Sequence, residues 1–90
     1  MEANETALTY LNQNKLLYLN MLEVLRRGSA ELLYAGEDGV LLYDRGAEAH
    51  MLSARNRGAL EKFLPFLECS DIVVGHEDWY REELTQRLGM

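Results

Sequence analysis

Residues 28 to 53, GSAELLYAGEDGVLLYDRGAEAHMLS, constrain this chain more than any other stretch, because they read as three short strands joined by two tight turns. Ala30 to Ala35 sets Ala30, Leu32 and Tyr34 against Glu31, Leu33 and Ala35, the two-residue period of a strand with at least one buried face. GEDG, residues 36 to 39, is a turn: its glycines tolerate positive φ, and Asp38-Gly39 is a strong hairpin signal. Val40 to Tyr43 is apolar on both faces, which predicts a central strand rather than a solvent-facing edge. A second turn around Asp44 to Ala47 returns the chain through Glu48 to Leu52, so an antiparallel meander is expected.

Helical spacing flanks this block. Over residues 5 to 27, Leu11, Tyr18, Leu22 and Leu25 recur at helical intervals, and Leu17, Met21 and Val24 widen the stripe. The polar cluster Asn12, Gln13, Asn14 is either an exposed face of one long helix or a break, with Asn14 capping a second helix from Lys15. Arg26 and Arg27 suit the negative end of the helix dipole, and Gly28 stops the helix. After the meander, Ser53 is expected to cap a helix whose inward face is Leu60, Phe63 and Leu64, with Ala59 beside them, and Pro65 to end or kink it at Leu64. Asp71 to Val74 is a short β-branched run and a fourth strand, closed by Gly75. Glu77 and Asp78 then open a last helix with Tyr80, Leu84 and Leu88 as its stripe, Arg87 in its last turn and Gly89 at its end. The expected fold class is therefore α+β: an N-terminal helix, a three-stranded antiparallel meander, a helix, a fourth strand and a C-terminal helix, in one domain over residues 1 to 90.

Composition narrows the function classes. No run of roughly 18 apolar residues is present, which argues against a membrane span. The opening MEANETALTY carries acids where a secretory signal has basic residues, and the single cysteine, Cys69, allows no internal disulfide; a cytoplasmic protein is expected. The net charge of −6 argues against general binding to nucleic-acid phosphates. Six acids, Glu68, Asp71, Glu77, Asp78, Glu82 and Glu83, crowd one stretch, whereas Arg26, Arg27, Arg45, Arg55, Arg57 and Lys62 lie earlier, as solvated charges or a local anion site.

The residues that could carry chemistry are sparse. Cys69, His50 and His76 do not make the three or four ligands at characteristic spacing that a metal site needs. His76, beside Glu77 and Asp78, is either a base oriented by a carboxylate or an ordinary polar residue at a helix start. Acids near Cys69 disfavour its thiolate, and Trp79 and Tyr80 read as packing anchors. A self-contained enzyme would have to assemble a site from His50, His76, Tyr43, Asp44 or Arg55, among which no pair has a recognised catalytic spacing. No catalytic, cofactor-binding or metal-ligating residue is assigned.

Residues 22 to 54, LEVLRRGSAELLYAGEDGVLLYDRGAEAHMLSA, resemble a segment near the start of certain bacterial proteins of the GNAT family of N-acetyltransferases, in which an N-terminal α+β domain precedes the acetyl-CoA-binding domain. The family grips the acetyl-CoA pyrophosphate with an Arg/Gln-x-x-Gly-x-Gly/Ala turn between a strand and a helix. ARNRGALEKF, residues 54 to 63, supplies Arg55 and Gly58 but places Leu60 where Gly or Ala belongs, so no acetyl-CoA residue is carried over. The resemblance implies a non-catalytic N-terminal domain of a longer acetyl-CoA-dependent enzyme, serving substrate positioning, packing against the C-terminal catalytic domain, or dimerisation. The alternative is a stand-alone interaction or ligand-binding module, with helices on one face of the meander; the element order also resembles roadblock-like dimerisation domains. In either case the apolar excess around the first helix, Leu16, Leu17, Tyr18, Leu19, Met21, Leu22, Val24 and Leu25, predicts a covered face, in a homodimer or against a further domain.

Overall fold

The computed structural model describes residues 2 to 68, 70 and 72 to 88, with residues 2 to 4 as backbone alone; the expectations for Cys69, Asp71 and Gly89 lie outside the described residues. The fold is α+β. Its elements run α1 (Glu2–Asn12), α2 (Leu19–Arg27), β1 (Ala30–Gly36), β2 (Gly39–Asp44), β3 (Ala49–Ala54), α3 (Arg57–Leu67), β4 (Val73–Gly75) and α4 (Arg81–Leu88). The sheet order is β1-β2-β3-β4. The meander is antiparallel, whereas β4 lies parallel to β3 across the α3 crossover, so the sheet is mixed.

Val40, Leu41 and Leu42 of the central strand have no exposed surface, because both faces of the sheet are covered. Val40, Leu42 and Met51 pack with Ala7, Tyr10, Leu11, Tyr18, Met21 and Val24 on the α1/α2 side. Leu41, Leu52 and Ala54 pack with Leu60, Phe63, Leu64, Leu67, Tyr80 and Leu84 on the α3/α4 side. This three-layer arrangement corrects the expectation of helices on one face only. Alternation along β1 is also broken. A register shift between Leu32 and Tyr34 turns Leu33 and Tyr34 both toward the α3/α4 core, while Leu32 and Ala35 meet α1 and α2.

Element ends depart from the local signals where tertiary contacts override them. The N-terminal helical region is two helices: Asn14 does cap a turn, accepting from the Leu17 N–H at 3.3 Å, but α2 starts only at Leu19. Gly28 ends α2 at φ 79°, a left-handed conformation in which a β-carbon would be strained. β3 runs on through Ser53 and Ala54, so Ser53 is a fully buried strand residue and Asn56 is the cap of α3. Pro65 stands inside α3 without ending it; Leu64 and Leu67 on either side are buried, and the Glu68 N–H still reaches the Leu64 carbonyl at 3.1 Å. β4 begins at Val73, one residue after Ile72, whose carbonyl accepts from the His50 N–H at 2.9 Å. Glu77 and Asp78 precede α4 rather than open it; Glu82 and Glu83 fill its first turn.

Candidate functional site

β3 and β4 part company at one end of the sheet. Their pairing stops at Leu52 opposite Gly75, and the backbone groups that β3 presents beyond this point are met by side chains of residues 76 to 79. The ring of His76 sits 3.0 Å through Nδ1 from the Leu52 carbonyl, so that nitrogen carries the proton. The Ala54 N–H donates to Glu77 Oε1 at 3.2 Å, and the Ala54 carbonyl accepts from Trp79 Nε1 at 3.0 Å. In open sheets the crevice beyond the carboxyl ends of parallel strands is the usual ligand position. Here it is filled by the protein's own polar groups.

Glu77 is the centre of that plug. Its Oε2 accepts from the hydroxyls of Tyr18 and Ser53, each at 2.6 Å, and its Oε1 from Tyr80 at 2.6 Å as well as from Ala54. Ser53 Oγ also lies 2.9 Å from Tyr18 Oη, so its one proton is shared between that oxygen and the nearer Glu77 Oε2. With the Ser53 proton so engaged, the 2.8 Å contact between Tyr10 and Ser53 is donated by Tyr10. Tyr80 Oη, having given its proton to Glu77, accepts from the backbone N–H groups of His76 and Glu77 at 2.9 and 3.1 Å. Burial, then the hydrogen bond to Glu77, pushes the Tyr18 and Tyr80 phenols far above their ordinary value. The network joins the two sides of the sheet, since Tyr10 and Tyr18 belong to the α1/α2 core and Tyr80 to the α3/α4 core. Gly75 makes room for it: a β-carbon there would stand 2.6 Å from Cε1 of Tyr80.

Sequence reasoning about chemistry missed this cluster, because Tyr10, Tyr18, Ser53 and Glu77 come from four separate segments. One signal was legible: a tyrosine on an apolar stripe needs a partner for its hydroxyl. The residues that sequence reasoning did weigh for an enzyme are scattered. His50 Nδ1 lies 2.7 Å from Ser70 Oγ with its ring against Tyr43, and desolvation pulls its pKa below the ordinary histidine value. Asp44 closes the β2–β3 turn by accepting from the Gly46 and Ala47 N–H groups. His76 is oriented by a carbonyl, not by Glu77 or Asp78, and its Nε2 is buried without a hydrogen-bond partner. Among the described residues no group of three or more His, Cys, Asp and Glu is placed to hold a metal.

The Arg55 to Leu60 turn does stand between a strand and a helix, yet its groups are committed. The Asn56 side chain accepts from the Ala59 N–H at 2.9 Å, Leu60 is fully buried in the α3/α4 core, and Arg57 pairs with Glu83 at 2.6 Å. Arg55 is different. Its N–H is fixed on the Asp38 carbonyl at 2.8 Å and its guanidinium lies 4.6 Å from the centroid of the Tyr10 ring. It borders an open cleft of about 640 Å³ between α1 and the β1–β2 turn. The polar plug thus forms the inner support of the cleft through Tyr10. Comparison of the chain with protein-family models, with curated proteins and with solved structures returns no match.

Proposed function

We propose that this chain is the non-catalytic N-terminal domain of a GNAT-like, acetyl-CoA-dependent N-acetyltransferase, acting through packing against a C-terminal catalytic domain, substrate positioning or dimerisation. The observation that carries the reading is the state of the Arg55-x-x-Gly58-x-Leu60 turn. It stands between β3 and α3, and the family's pyrophosphate turn likewise joins a strand to a helix, but here Asn56 takes the Ala59 N–H and Leu60 is part of the core. A scaffold that keeps the turn while its amide is self-capped fits an accessory domain better than an acetyl-CoA site. The exposed Leu8, Leu16, Leu17 and Leu19 support a covered face on the α1/α2 side. The test is calorimetric titration of residues 1 to 90 with acetyl-CoA: no saturable heat is expected, and tight, saturable binding would overturn the reading. The cleft at Arg55 favours a second reading, a stand-alone ligand-binding module.

A further inference from the structure

Arg55 stands apart from the other arginines. Arg26 and Arg27 reach Glu23, Arg57 and Arg87 reach Glu83, Arg81 reaches Asp78, and Arg45 reaches the Ala30 carbonyl. Among the described residues the Arg55 guanidinium reaches no carboxylate and no carbonyl, although Glu5 and Glu37 line the same cleft. Neither of those glutamates makes an ion pair among the described residues. The cleft therefore presents one cation and two anions that are in no ion pair among the described residues, and Thr9 of α1 and Gln13, just after that helix, also line it.

The cation is also held in place. Tyr10 is 3% exposed and its hydroxyl is tied to Ser53 inside the plug, so the ring under the guanidinium is rigid; the Arg55 backbone is pinned to Asp38. A guanidinium fixed on a ring keeps its planar fork free for a two-pronged contact with a carboxylate, and preorganisation lowers the entropy lost on binding. Glu5 and Glu37, on the walls of the same cleft, suit an ammonium group that such a ligand carries next to its carboxylate.

We propose that this cleft binds a free α-amino acid, with the ligand carboxylate on Arg55 and its ammonium group on Glu5 and Glu37. The site does not depend on the acetyltransferase reading, and its failure would leave the acetyl-CoA titration unaffected. It is tested by 15N–1H correlation NMR on the full chain titrated with L-glutamine, N-acetyl-L-glutamine and L-glutaminamide. The expected result is saturable shifts of the Gly36, Glu37 and Arg55 amides with L-glutamine. Both masked forms should bind at least tenfold more weakly, since each lacks one of the two charges. Arg55→Gln and Glu37→Gln should each weaken L-glutamine binding at least tenfold while the remaining spectrum reports an intact fold. Absence of saturable shifts, equal binding of the N-acetylated form, shifts scattered away from the cleft, or indifference to both substitutions would each overturn the proposal.

Discussion

Ser53 Oγ has no contact with solvent, so the tyrosine hydroxyl that donates to it cannot turn to water when it is removed. Ser53→Ala strips Tyr10 of its acceptor and Glu77 of one donor. Leaving one buried hydroxyl unpaired costs about 1–3 kcal/mol, which should appear as a lower urea midpoint with an unchanged slope. Gly75→Ala acts on the same cluster by crowding: the added carbon meets the Tyr80 ring at 2.6 Å, and overpacking of this kind costs about 1–3 kcal/mol. The phenols give the plug a pH signature. Tyr18 and Tyr80 have folded-state pKa values raised above the unfolded value of 10.0, so above that pH the unfolded chain releases protons that the folded chain retains. Their contribution is complete below pH 10 and is lost as the pH rises beyond it, with a slope of up to about 1.4 kcal/mol per pH unit for each group. Urea titrations between pH 9 and 11 should show that loss, and Tyr18→Phe should flatten the slope. An unchanged slope in Tyr18→Phe would mean that the Tyr18 phenol ionises alike in the folded and unfolded chain.

α3 carries a proline that its neighbours overrule. Pro65 has no N–H to give the Glu61 carbonyl, an interior helix position where proline costs about 3 kcal/mol, yet burial of Phe63, Leu64 and Leu67 keeps the helix whole. Pro65→Ala restores the missing bond on an exposed position while releasing some unfolded-state entropy, so a net gain of about 1–2 kcal/mol is expected in thermal unfolding. Local and tertiary forces divide here in the same way as they do along the rest of the chain. The meander was legible because its turns are local: Glu37 and Asp38 form the first hairpin loop between the paired Gly36 and Gly39, although without the positive φ expected of those glycines, and Asp44 closes the second turn through its own side chain. The α2 stop at Gly28 was equally local. Ser53 and Glu77 were misplaced, one as a helix cap and the other in a helix first turn, because what holds them is each other across 24 positions. The β1 irregularity escaped for a related reason: Tyr34 leaves the expected face to meet the ring of Phe63, 5.3 Å away, and no spacing within the strand encodes that partner. The parallel β4 depends on how α3 docks, so its place beside β3 had no signature in Val73 and Val74 alone.

At the scale of the whole molecule, no helix of the described residues is long and apolar enough to cross a membrane. The sheet is covered on both faces, and of the large apolar side chains left exposed, Leu8, Leu16, Leu17 and Leu19 lie in the α1 to α2 region, with Phe66, Ile72 and Trp79 elsewhere. Leu8 and Leu19 line a groove of about 440 Å³ with Leu22 and Leu25, and Leu16, in the turn that joins the helices, is 88% exposed. The groove is also lined by Lys15, Arg26 and Glu23, the last two ion-paired with each other. Isolated exposed leucines are ordinary, but four of them over α1, α2 and the turn that joins them make a surface that water wets poorly. Replacing Leu16 and Leu19 by lysine removes apolar area that the fold itself does not use, so unfolding free energy should move by no more than about 0.5 kcal/mol per site. If this face joins two copies, light scattering should give a dimer for the parent chain and a monomer for the double variant. If it is reserved for a catalytic domain, the parent chain is monomeric, and the double variant should instead weaken association with that domain supplied as a separate chain. Strong destabilisation of the double variant would show that Leu16 and Leu19 serve the fold after all, and would remove the basis for either partner.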